Sequence, residues 1–136
     1  MTMLLNYYYS IKNQQTVGMV TLFDVILLPE CSVYEGHFPD RPVAPGVCNI
    51  QMIKECVERI TGKQLLLEYM AQCKFVNLIT PQQQQEWQVR IEIVENQVDK
   101  PVKVIAVISR DETEYIVFKG EFVIFDPLLK RVKEDV

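Results

Sequence analysis

Residues 46–62 read GVCNIQMIKECVERITG, and this stretch decides the fold. Its apolar side chains recur at the three- and four-residue spacing of an α-helix, and the pair Thr61-Gly62 is typical of a helix end. Those side chains cover about 200° of the helix surface, whereas a helix lying on a protein surface needs an apolar stripe of only about 100°. The sequence therefore predicts one helix enclosed by a sheet.

The remaining arc of this helix is polar and carries Gln51, Lys54, Glu55 and Glu58. We expect Gln51 to project from the first turns on the side without apolar neighbours, and the carboxylates of the arc to be solvated. Asn49 falls inside the apolar arc, so it needs a hydrogen-bond partner there.

Extended segments lie on both sides of the helix. From Thr16 to Leu28, apolar residues occupy both odd and even positions, which predicts a first strand that is covered on both faces. Alternating or β-branched segments predict four more strands, at Leu65 to Val76, Trp87 to Val94, Val102 to Ile108 and Tyr115 to Phe125. One early helix followed by strands with short connections favours an antiparallel sheet curled around that helix. The length predicts a single α+β domain over residues 1–136.

Composition excludes several classes of function. A net charge of −4 provides no field for a phosphate backbone, so nucleic acid is not an expected partner. No apolar run approaches the ~20 residues that span a bilayer, and the N-terminus lacks the basic region and cleavage site of a secretory signal, so we expect a cytoplasmic protein. No serine lies in a G-x-S-x-G turn, which excludes the nucleophile site typical of that turn. A glycine-rich loop is also absent, which excludes the phosphate-binding site that such loops form.

The cysteines and aromatic residues are predicted to build the core. No two of the four cysteines form a C-x-x-C pair, and one histidine is available to assist them, which predicts reduced core thiols and no metal site. Four aromatic residues alternate along the predicted strands as core residues do, which predicts that they pack in the core and do not form a platform on which nucleic-acid bases stack. They are Tyr69, Trp87, Phe118 and Phe122.

The only histidine, His37, lies in a loop with five residues that interrupt regular structure: Pro29, Gly36, Pro39, Pro42 and Pro45. This loop leads directly into the helix. Its end at Pro45-Gly46 places backbone N–H groups at a helix N-terminus, where the partial positive charge can polarise a carbonyl oxygen. The loop and the first helical turns are therefore the candidate site.

These residues form a motif, His37-Phe38-Pro39-x-x-Pro42-Val43-x-Pro45-Gly46-Val47. It resembles the signature of the 3-hydroxyacyl-acyl carrier protein dehydratases of type II fatty acid synthesis, and the downstream Lys74-Phe75 and Thr80-Pro81 are similar to a segment of the same family. The resemblance implies a hot-dog fold, in which an antiparallel sheet wraps around one long central helix. It also implies a dimer or a larger even oligomer with sites completed between subunits, an acyl substrate carried by acyl carrier protein, and no cofactor.

The resemblance also assigns roles to individual residues. His37 would remove the α-proton of a 3-hydroxyacyl thioester, and the Gly46 N–H would polarise the thioester carbonyl. The family's carboxylate, which protonates the departing hydroxyl, stands fourteen residues after the histidine, and here that position holds Gln51. Phe38, Pro45, Val47 and Glu55 are expected to contact the substrate.

Because an amide has no proton of suitable acidity, Gln51 leaves alternatives open. Glu55 lies one turn further along the helix, Glu35 and Asp40 flank His37, and a related chain could supply the acid in a heterodimer. Dehydration is the leading hypothesis. The alternatives are hydrolysis of an acyl thioester and a non-catalytic acyl-carrier-binding subunit of a heteromeric dehydratase.

Overall fold

The computed structural model describes residues 3–29, 31, 46–80 and 86–125. Six strands within these residues form one antiparallel sheet in the order β1-β2-β4-β5-β6-β3. The elements are β1 (Tyr9–Val17), β2 (Val20–Leu27), the helix α1 (Gly46–Thr61), β3 (Leu65–Phe75), β4 (Glu86–Glu95), β5 (Val102–Arg110) and β6 (Thr113–Ile124).

Helix α1 packs against the sheet, with β3 and β4 among its neighbours, as the wide apolar arc predicts. The buried residues of α1 are Cys48, Asn49, Met52, Ile53, Glu55, Cys56 and Val57. Along most of β2, β4 and β5 every second residue is buried, because side chains alternate between the two faces of a strand. In the part of the chain that the structure describes, no helix combines the length and the apolar character needed to cross a bilayer.

The predicted strand from Thr16 to Leu28 is wrong in its first part, because the chain reverses direction inside it. Val17 pairs with Val20 across a two-residue loop, so β1 and β2 form a hairpin. Gly18 has a φ of 62°, which the first central residue of a type II′ turn requires and which glycine adopts without strain. Sequence analysis missed β1 because most of this edge strand is exposed on both faces and shows no alternation.

The four strands predicted after the helix are confirmed, but Tyr69 on β3 is misassigned. Trp87, Phe118 and Phe122 are buried as predicted, whereas Tyr69 is 57% exposed. Strand β3 is an edge of the sheet, and its pairing with β6 shifts register twice, on either side of Tyr69-Met70. Such bulges disturb the alternation of side chains, so the apolar residues of β3 do not all face the core.

Candidate functional site

The structure describes part of the predicted site. The residues of the proline-dense loop lie outside the described residues, namely His37, Phe38 and Pro45, with Glu35 and Asp40. The other predicted site residues lie on α1, namely Gly46, Val47, Gln51 and Glu55.

The first turn of α1 lies close to the end of β3. A Cβ atom added to Gly46 would lie 2.8 Å from Phe75 Cζ, so a larger residue at this position requires the ring to move. Val47 follows and is 62% exposed. Because the first N–H groups of a helix have no intrahelical acceptor and lie at the positive end of its dipole, this turn can polarise a carbonyl oxygen.

Gln51 and Glu55 lie one turn apart on α1 and contact each other. Gln51 is half-buried, and its Nε2 donates a hydrogen bond of 2.9 Å to Glu55 Oε2. Gln51 is about 7.5 Å from Gly46 along the helix axis, at 1.5 Å per residue. The two positions that the resemblance assigns to the carbonyl and the hydroxyl of a substrate therefore share one end of the helix.

Glu55 is buried, and the expectation of a solvated carboxylate at this position is wrong. The residue is 5% exposed, and three donors from the N-terminal segment reach its side chain. The Leu4 N–H donates to Oε2 at 2.7 Å, the Leu5 N–H donates to Oε1 at 3.0 Å, and the Tyr9 hydroxyl donates to Oε1 at 3.0 Å. The polar arc of α1 is thus covered where residues 4–9 cross it, which the helical pattern alone does not reveal.

The chemistry of Glu55 follows from these contacts. An ionised carboxylate accepts hydrogen bonds and offers about four lone-pair sites. The bond from Gln51 and the three bonds from the N-terminal segment account for four acceptor contacts. This arrangement favours a structural role for Glu55 over direct contact with a substrate.

Asn49 has the partner that its position in the apolar arc requires, and this expectation is confirmed. The Tyr8 hydroxyl donates to Asn49 Oδ1 at 2.7 Å in the core. Sequence analysis missed Tyr8 and Tyr9 as residues that contact the helix. The available signal was the run of three tyrosines at 7–9, because a buried tyrosine hydroxyl usually finds a hydrogen-bond partner.

All four cysteines are free thiols and three of them are buried, as predicted. Burial raises the pKa of Cys48, with Cys31 nearby as a second cause, although a helix N-terminus ordinarily lowers the pKa of a thiol. Burial, with Glu55 as a second cause, also raises the pKa of Cys56. A protonated thiol is a poor nucleophile, so these two residues are not set up for covalent catalysis.

An aromatic cluster forms the core at the end of the sheet near the start of β4. The rings of Trp87 and Tyr115 meet edge to face with centroids 4.8 Å apart, and the Arg110 guanidinium lies 5.7 Å from the indole centroid. Pairing between β5 and β6 skips Tyr115, and such a bulge can turn a side chain toward a neighbouring strand. Among the described residues, Trp87 Nε1 has no hydrogen-bond partner although it is buried.

Comparison with known proteins adds a family and a set of similar folds. The model of the ApeI-like family, which is described as ApeI dehydratase, matches residues 12–107. No curated protein matches the sequence. Among solved structures, the dehydratase heterocomplex ApeI:P from Xenorhabdus doucetiae is similar with a TM-score of 0.66 at 14% identity, covering 82% of this chain and 95% of the other.

A second similar structure is a protein from Lactococcus lactis proposed to be a thioesterase. It has a TM-score of 0.59 at 11% identity, and the match covers 93% of this chain and 99% of the other. At these identities the likeness establishes the fold alone. The expected hot-dog fold is confirmed.

Proposed function

This chain belongs to the ApeI-like dehydratase family, and from that membership we propose that it dehydrates 3-hydroxyacyl thioesters carried by acyl carrier protein. The observation that carries the proposal is the family match over residues 12–107, which includes both the His37 loop and the helix with Gln51. The position of Gly46 at the start of α1, one and a half turns before Gln51, supports it.

In the proposed reaction, His37 removes the α-proton while the Gly46 N–H polarises the thioester carbonyl. The bond between C3 and the hydroxyl oxygen breaks, a double bond forms between C2 and C3, and the hydroxide takes up a proton to leave as water. Gln51 holds the hydroxyl by a hydrogen bond but cannot supply this proton. We propose that the imidazolium of His37 returns it, or that a carboxylate of a partner chain donates it.

Two alternatives draw on specific observations. Hydrolysis of an acyl thioester is supported by the similar fold of the Lactococcus lactis protein, and Gln51 could then orient the attacking water. A non-catalytic subunit of a heteromeric dehydratase is supported by Gln51 at the acid position and by the heterocomplex among the similar structures.

Incubation with a 3-hydroxyacyl thioester and with an unsubstituted acyl thioester, followed by mass analysis of both mixtures, distinguishes these functions. We expect loss of one water from the first substrate. Gln51→Glu should raise this dehydration about 10-fold, a change of about 1.4 kcal/mol in the barrier. The introduced carboxyl would lie beside Glu55 and, in its protonated form, can donate the proton that the Gln51 amide cannot supply.

Gln64→Glu, which adds the same charge at an exposed position after α1, is the matched control and should leave the rate unchanged. Loss of an existing activity in Gln51→Glu would favour the hydrolase. No activity on either thioester, in the wild type and in both variants, would favour the binding subunit.

We further propose that the chain forms a dimer through the edge strand β3, with the site completed between subunits. Large apolar side chains on this strand are exposed, namely Leu66, Leu67, Tyr69, Met70 and Phe75. Several large exposed apolar side chains along one edge strand favour an interaction surface. Tyr69→Glu should weaken dimerisation by about 2 kcal/mol, roughly 30-fold in Kd, because it places a charge in a buried contact on each copy.

Light scattering over a concentration series measures this effect. Met19→Glu alters an equally exposed apolar residue in the β1–β2 turn and should leave the association unchanged. A wild-type protein that is monomeric at micromolar concentration would contradict the proposed assembly.

A further inference from the structure

The contact between Gln51 and Glu55 fixes which end of the Gln51 amide faces outward. An ionised carboxylate can only accept hydrogen bonds, so it must receive the NH₂ end of the amide. The 2.9 Å bond from Gln51 Nε2 to Glu55 Oε2 has this polarity. The carbonyl oxygen Oε1 is therefore directed away from Glu55, and no described residue donates a hydrogen bond to it.

Glu55 is itself held in place by the fold. Both of its oxygens accept bonds from the N-terminal segment, through the two backbone N–H groups of Leu4 and Leu5 and the hydroxyl of Tyr9. These donors come from residues 51, 50 and 46 positions away in the sequence, so the carboxylate is fixed by tertiary structure. Rotation of this carboxylate would break bonds in a site that is almost inaccessible to water.

We propose that Glu55 is a positioning residue that locks the Gln51 amide, so that a ligand meets a hydrogen-bond acceptor at this position. The inference rests on the proposed function and names the chemical class of ligand it selects. An acyl chain with a hydroxyl at C3 can donate to Gln51 Oε1, whereas a chain with a ketone at C3 presents a second acceptor.

The size of the expected selectivity follows from the balance of hydrogen bonds. The hydroxyl compound gains one hydrogen bond, and the ketone leaves two acceptors facing each other in a partly desolvated site. We expect the hydroxyl compound to bind about tenfold more tightly. A glutamine side chain without Glu55 could turn its NH₂ group toward the ketone and would accept both compounds.

The test measures the affinity of two matched probes by titration calorimetry. The probes are 3-hydroxyacyl and 3-oxoacyl pantetheine amides of equal chain length, in which nitrogen replaces the thioester sulfur so that hydrolysis is suppressed. The wild type should prefer the hydroxyl probe about tenfold. In Glu55→Gln the introduced amide can donate as well as accept, so Gln51 can flip and the preference should fall below about twofold.

Glu58→Gln is the matched control. Glu58 lies on the next turn of α1 and accepts a 2.8 Å bond from the Leu65 N–H, without contacting Gln51. Its variant should retain the full preference. Gln51→Met should lose the preference as Glu55→Gln does, because neither presents a fixed carbonyl oxygen, and it serves as a second variant if Glu55→Gln does not fold.

The outcomes separate this inference from the proposed function. Equal affinity of the wild type for both probes would overturn the positioning role while leaving the substrate class intact. A preference that persists in folded Glu55→Gln would also overturn it. If neither probe binds the wild type, the proposed function fails together with the inference drawn from it.

Discussion

Replacing Glu55 with alanine is expected to lower the free energy of unfolding by about 3 kcal/mol or more, because several donors in the interior lose their acceptor at once. The Leu4 N–H and the Tyr9 hydroxyl point at this carboxylate from buried positions, and Tyr9 is 1% exposed. Burial is the largest cause of the raised pKa of Tyr9 and persists when the carboxylate is removed, so its hydroxyl cannot relieve the loss by ionising. A buried donor without an acceptor costs about 1–3 kcal/mol.

Urea unfolding followed by circular dichroism measures this change. Glu92→Ala on β4 is the matched control, because this carboxylate is partly exposed and forms a 3.5 Å ion pair with Arg90. The control should change the free energy of unfolding by less than about 1 kcal/mol. Glu55→Ala with wild-type stability would show that the N-terminal segment does not depend on this carboxylate.

The release of the N-terminal segment provides a second readout of the same variant. Residues 4–9 reach α1 through the Glu55 bonds and through the bond from Tyr8 to Asn49. Loss of the carboxylate should therefore increase hydrogen exchange at Leu4 and Leu5 more than at the centre of the sheet. Equal increases throughout the chain would instead indicate global destabilisation.

The sequence predicted the helix and the strands after it because their side chains repeat with a regular period. The apolar arc of α1 and the alternation of β4 are local signals that tertiary contacts reinforce. The resemblance placed Gly46 and Gln51 in the candidate site, and the structure brings them to one end of the same helix.

What the sequence could not predict depends on contacts between distant segments. Glu55 has the spacing of a solvated helix residue, and its burial results from a segment more than forty positions earlier in the chain. Strand β1 is largely exposed, so it lacks the alternation by which the other strands were found. Tyr69 follows the alternation of a core residue, but the register shifts of β3 redirect it.

His37→Ala is expected to lower turnover of the 3-hydroxyacyl thioester by about 10²- to 10⁴-fold, the usual contribution of a general base. This corresponds to about 2.7–5.5 kcal/mol of transition-state stabilisation. Gln51 provides no acid, so in the proposed route in which the imidazolium of His37 returns the proton, the imidazole carries out both proton transfers. This double role favours the upper part of the range. The thermal unfolding temperature, measured in parallel, should stay within a few degrees of the wild type.

The pH dependence of turnover connects this loss to the imidazole itself. A base must be unprotonated to act, so activity should fall as the pH drops through about 6.5, where a free imidazole takes up a proton. His37 is the only histidine of the chain, so its ring proton resonances titrate without overlap in an NMR spectrum. The midpoint of that titration should coincide with the acid limb of kcat/KM for the free enzyme.

Arg41→Ala, a change in the same loop at a residue with no proposed role, is the control for His37→Ala and should retain turnover within about threefold. A folded His37→Ala variant with unchanged turnover would remove His37 from the mechanism. A pH profile that retains its acid limb in that variant would lead to the same conclusion, since the titrating group would then be a carboxylate. Loss of both turnover and the acid limb, with the fold intact, would identify His37 as the base.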